Sequence, residues 1–137
     1  MAALTAQMVE DQARWSTLIQ TCAPGSKVLL VGSHADEVEG GEAVVMQRCR
    51  HMAEQVHAKL AQYRQTQQAE LDSLSSMQLL SPAASERAKQ LKVALSKPLR
   101  LATEAIAVSA KTLEGFGNLE EAMVRHTIIG GIWVAFF

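Results

Sequence analysis

The chain has 137 residues, a net charge of −1 and 48 % apolar residues, the profile of one globular domain with a sizeable core. No basic excess and only six aromatic side chains (two Trp, one Tyr, three Phe) argue against a nucleic-acid partner. Cys22 and Cys49 lack metal-ligand spacing and read as free thiols of a reducing, cytoplasmic compartment; the amino terminus lacks the features of a signal peptide, and the longest apolar run, Ile128 to Phe137, is too short for a transmembrane helix.

Residues 5 to 22 carry a helical stripe of Met8, Trp15, Leu18, Ile19 and Cys22 between polar positions. Pro24 and Gly25 end that helix, because the residue before a proline is pushed out of helical conformation and glycine invites a turn. A strand follows from Lys27 to Val31, and its four consecutive aliphatic residues predict burial on both faces, as in a parallel sheet covered by helices. A strand expected ahead of the first helix is missing, so one edge of this strand is predicted to lack a neighbour and to invite another chain.

Gly40 and Gly41 punctuate the next loop. A long helix is predicted from about Glu42 to about Leu74, with Val45, Met52, Val56, Leu60 and Tyr63 on its apolar face. Arg48, Arg50, Lys59, Arg64, Gln67 and Gln68 form a face expected to be solvated. His51 and His57 are six residues apart on that helix and do not share a face, which argues against a metal pair.

Ser81 before Pro82 opens a helix to about Ser96, with Leu91 and Leu95 on one face, and Pro98 follows its end. A second strand covers roughly Ala102 to Val108. Gly115-Phe116-Gly117 reads as a turn, and Asn118 with Glu121 as a capping box that opens a last helix through Leu119, Ala122, Met123 and Ile128. Beyond Gly130-Gly131, the run Ile132 to Phe137 has no amphipathic pattern. It reads as a buried or artificial end, with a membrane tether or a binding peptide as alternatives.

Each strand runs into a short polar loop. Gly32-Ser33-His34-Ala35-Asp36 follows the first, and Ser109-Ala110-Lys111 follows the second. Ligands of open α/β sheets sit outside the carboxyl ends of parallel strands, so the two loops are placed to face one ligand. The pair resembles the two guanine-recognition boxes of Ras-like GTPases, Asn/Thr-Lys-x-Asp and Ser-Ala-Lys. With histidine in the second position and a long helical segment after it, the chain looks most like the Roc domain of Roco-family proteins. This resemblance covers roughly residues 7 to 127. It implies a carboxyl-terminal half of a Roc-like domain over 1–127 and an apolar tail over 128–137. The fold it implies is α/β, a partial P-loop-type three-layer arrangement with two or more parallel strands and about four helices.

The chemistry of the loops follows from the guanine edge. A carboxylate accepts from N1–H and the N2 amino group together, a charge-assisted pair of contacts that adenine cannot offer. The resemblance gives that role to Asp36, and gives the backbone N–H of Ala110 the O6 carbonyl. Ser109 braces the loop, the stem of Lys111 lies along the base, His34 takes the other face of the purine, and Ser33 ties its loop to the pocket. The implied ligand is GTP or GDP. Mg²⁺ enters only with a phosphate-binding half, because no Gly-x-x-x-x-Gly-Lys-Ser/Thr loop and no Asp-x-x-Gly switch occur in these 137 residues. The expectation is base recognition without hydrolysis, since that catalysis is mostly positioning and neutralisation of phosphate charge. GTPase activity is expected only as part of a larger chain. Flanking dimerisation, leucine-rich-repeat or kinase modules are implied by the resemblance alone. The alternative is a non-catalytic scaffold, derived from a degenerate GTPase, that docks protein partners through its long helix.

Overall fold

Val28, Leu29, Leu30 and Val31 have no solvent exposure at all, and that fact sets the architecture. Successive strand side chains point to opposite faces, so a run buried throughout needs cover on both sides. The computed structural model describes residues 6–126 and 132–136, and in it helices supply that cover. The order is α1 (Ala6–Cys22), β1 (Lys27–Gly32), a 3-10 turn (Ala35–Glu37), α2 (Gly41–Ser75), α3 (Pro82–Ser96), β2 (Arg100–Ala107), α4 (Phe116–His126) and β3 (Ile132–Phe136). The strands form one parallel sheet in the order β2-β1-β3. Over the described residues the fold is therefore mixed α/β, with four α-helices and a small three-stranded parallel sheet.

On one face of the sheet, Leu29 and Val31 pack with Ala102, Ile106 and Val108 against Leu119 and Ala122 of α4. On the other, Val28 and Leu30 pack against Ile19 of α1 and Met52, Ala53 and Val56 of α2. Each fully buried aliphatic side chain contributes about 1.5–3 kcal/mol, so this doubly covered strand is the largest single contributor to the core. Among the described residues, no helix is long and apolar enough to cross a membrane.

Helix α1 buries only part of the stripe its sequence suggests, with Ile19 in the core and Met8 packed against it. Gln12, Ala13, Ser16 and Ile19 are inside, whereas Trp15 and Leu18 are 60 % and 51 % exposed and Cys22 is exposed. Small side chains let α1 approach its neighbours closely, and the Ser16 hydroxyl is satisfied locally by donating to the Gln12 carbonyl at 2.9 Å. An indole has no room there. Polar contacts fix the helix's rotation. The Tyr63 hydroxyl donates to Glu10 at 2.5 Å, Lys59 Nζ lies 3.1 Å from the same carboxylate, and Gln20 donates to the carbonyls of Ala94 and Lys97. The Tyr63 hydrogen bond, reinforced by Lys59, holds the Glu10 carboxyl below its ordinary range, and Glu10 in turn pushes the Tyr63 hydroxyl up. Lys59 is thus tied to α1 and only partly solvated.

Helix α2 is 35 residues, about 52 Å, far longer than the strands it covers. Its distal half runs beside α3, where Arg87 grips Glu70 through two bonds of 2.8 and 2.9 Å. Ser81 caps α3 by accepting from the Ala84 N–H at 3.1 Å, with Pro82 at the first helical position. Replacing Ser81 by alanine should lower stability by about 1 kcal/mol, read as a shift in the urea midpoint at constant slope. An unchanged midpoint would show that the cap carries no weight.

Two further expectations change. The Asn118/Glu121 capping box is not formed as a cap, because α4 begins at Phe116 and the Leu119 N–H already donates to the Gly115 carbonyl at 3.0 Å. The apolar end is also more than a tail. Ile132 to Phe136 pair in parallel with Lys27 to Val31, so β1 is the central strand and its predicted vacant edge is filled by the same chain. Period-2 alternation is absent from a strand this uniformly apolar, which is why the pattern gave no signal. Thr127 to Gly131, including Ile128 and the Gly130-Gly131 stop, lie outside the described residues.

Candidate functional site

The chain leaves β1 for α2, which covers one face of the sheet, and leaves the adjacent β2 for α4, which covers the other. Connections that diverge from neighbouring parallel strands open a crevice at their carboxyl ends, the usual ligand position in such sheets. The Ser33–Asp36 and Ser109–Lys111 loops both lie there. Backbone bonds stitch them together: the Val108 N–H donates to the Gly32 carbonyl at 2.7 Å, and the Ala35 N–H donates to the Val108 carbonyl at 3.1 Å.

The first loop turns at His34, which is left-handed with φ 59° and ψ 38°, a region that histidine enters more readily than bulkier residues. Its carbonyl accepts from the Glu37 N–H at 3.0 Å, and its Nδ1 lies 3.0 Å from Ser33 Oγ. This turn delivers Asp36 towards the second loop. Ser109, fully buried, donates its hydroxyl to Asp36 Oδ1 at 2.5 Å and accepts from the Thr112 N–H at 3.2 Å. The Ser109 hydroxyl is the main influence holding the Asp36 carboxyl below the usual carboxylate range, with lesser help from the charges of Lys111 and His34. Asp36, His34, Ala110 and Lys111 are solvent-exposed, and Ser33 is partly so. The structure therefore brings Asp36 and Ser109 into direct contact, with Lys111 and His34 near enough to act on the carboxylate.

The second loop is a closed turn. The Ser109 N–H donates to the Glu114 carbonyl at 3.0 Å, the Leu113 N–H to the Ser109 carbonyl at 2.8 Å, and the Glu114 N–H to Thr112 Oγ1 at 3.4 Å. The Ala110 N–H takes no part in this closure. Gly115 then reverses the chain with φ +81°, so close to β2 that a Cβ there would sit 1.9 Å from the Ala107 carbonyl oxygen.

Sequence reading missed Thr112 and Gly115 as supports of the site, and it placed Arg48 on a solvated face. Arg48 is partly buried, lines a small cavity with Gly32, Ser33, Ala35 and Ala107, and has its Nη1 buried without a hydrogen-bond partner. It stands near the start of α2, between Val45 and Cys49, which line the same cavity at the carboxyl end of β1. Cys49 beside it is buried as well, and burial pushes its thiol up. No family model matches this chain, no curated protein matches it, and neither does any solved structure.

Proposed function

We propose that the two loops recognise a guanine base, as the base-binding portion of a Roc-like, P-loop-type GTPase domain whose ligand is GTP or GDP. The observation that carries this reading is the Asp36 carboxylate, held by Ser109 at the mouth of the crevice between adjacent parallel strands. An ionised carboxylate accepts from the N1–H and N2–H of guanine; adenine presents a lone pair at N1 and no N2 amino group, leaving the carboxylate unpaired. The Ala110 N–H, uninvolved in closing its own turn, is the donor for O6. The stem of Lys111 and the ring of His34 flank the two faces of the base, and Ser33 steadies the His34 ring through Nδ1. These residues select a base and do not hydrolyse; phosphate and Mg²⁺ chemistry belongs to a phosphate-binding loop.

The test is thermal unfolding with GTP, GDP, guanosine or ATP. Guanine ligands at 100-fold over their Kd should add about 2.7 kcal/mol, and ATP should add nothing. Equal stabilisation by ATP would refute base selection. A second reading, a protein-docking scaffold, is supported by Met77, Leu79 and Leu80, which are exposed at the tip of the α2–α3 hairpin. In that case no nucleotide shifts the transition.

A further inference from the structure

Strained backbone gathers at the crevice. Among the described residues with positive φ, Gly25, Gly40, Gly41 and Gly115 are glycines, which take that conformation freely. The others are His34 at 59° and Leu113 at 63°, one in each of the two loops that meet there. Histidine is among the residues that enter this region more readily. For leucine it is an outlier, because the Cβ crowds the following carbonyl oxygen. Such strain persists only where the surrounding structure fixes it, and it clusters at ligand sites.

The turn fixes Leu113 from both sides. Its N–H donates to the Ser109 carbonyl at 2.8 Å, and the Ser109 N–H donates to the carbonyl of the next residue, Glu114, at 3.0 Å. Both bonds are backbone, so glycine or asparagine would make them with less strain. Leucine brings nothing to the core in return: the residue is 72 % exposed and belongs to neither buried cluster. Its bond to Ser109 keeps it beside the side chain that holds Asp36.

We propose that Leu113 is a ligand contact, presenting its side chain to the base bound in the crevice, on the face taken by the stem of Lys111 and opposite His34. A purine is flat and largely apolar on its faces, and an exposed isobutyl group there gives it area that would otherwise meet water. The contact is made to the ring, so a nucleoside suffices and phosphates add nothing to it. This inference rests on the guanine reading of the two loops.

The test compares the parent chain with Leu113→Asn and Leu113→Met, by isothermal titration with guanosine and by urea denaturation. Asparagine accepts the left-handed conformation and removes the apolar surface, whereas methionine keeps that surface. Leu113→Asn should bind guanosine about 10-fold more weakly while its urea midpoint holds or rises. Leu113→Met should bind as the parent does. If the parent binds guanosine and Leu113→Asn binds it equally, the role of Leu113 is overturned and the guanine reading stands. Weaker binding together with a lowered midpoint assigns Leu113 to the fold and overturns the proposal as well. A parent that binds no guanosine removes the guanine reading, and this contact with it.

Discussion

Gly115→Ala should be the most damaging conservative change in the chain, lowering stability by about 3 kcal/mol. Two costs coincide there. The residue holds φ +81°, which alanine adopts only under strain, and the added methyl would lie 1.9 Å from the Ala107 oxygen and 3.2 Å from Val108 Cα. Both obstacles are backbone, so no side-chain rotation relieves them. The chain must instead separate the start of α4 from the end of β2, where Val108 is bonded to Gly32. Gly41→Ala separates the two costs, since Gly41 has the same φ of +81° but nothing within 4 Å of a Cβ. It should lose only about 1 kcal/mol. Urea denaturation of both variants reads the difference. Equal losses would mean that the close approach to β2 contributes nothing.

Asp36→Ala should reduce guanosine affinity by about 100-fold while leaving the fold intact. The side chain is exposed, so removing it opens no cavity, although the buried Ser109 hydroxyl loses its acceptor. Isothermal titration with guanosine, and with adenosine as control, gives the answer. A variant that binds guanosine as the parent does would remove Asp36 from the site. The pH dependence has a definite sign. The carboxylate is the competent form, and its pKa is lowered chiefly by Ser109. Binding should therefore persist down through the ordinary carboxylate range and fade only as pH falls through the lowered value. Ser109→Ala should move that acid limb up, because the stabilising donor is gone.

Much of the architecture is legible in local pattern. The unbroken run Val28–Val31 announces a strand buried on both faces, and Ser81-Pro82 marks the start of α3. Pattern fails where side-chain size or distant contacts decide. Trp15 and Leu18 count as apolar in any periodicity, but Ala13 and Ser16 win the interior of α1 because they are small. Arg48 has the spacing of a solvated face, yet the rim of the crevice covers it. Ile132–Phe136 carries no alternation, so only its pairing with β1 identifies it as a strand. At the site, the residue types of the two loops are readable, but the contact between Ser109 and Asp36 spans 73 positions and the clash at Gly115 is a property of the folded backbone alone.

The placement of β1 at the centre also governs how the chain reaches this structure. Its two partners lie about seventy and about a hundred residues downstream, and both ladders are parallel. Loop-closure entropy must be met before either ladder contributes, so folding should be slow for a chain of this size. During synthesis Val28 to Val31 emerge about seventy residues ahead of β2, the nearer in sequence of the two strands that receive them. Helices α1 to α3 can associate early through local contacts, but Val28 to Val31 gain their second strand partner only when β3 has emerged. This part of the newborn chain is thus most vulnerable to aggregation, and most dependent on chaperones, in the interval between the emergence of β1 and that of β3.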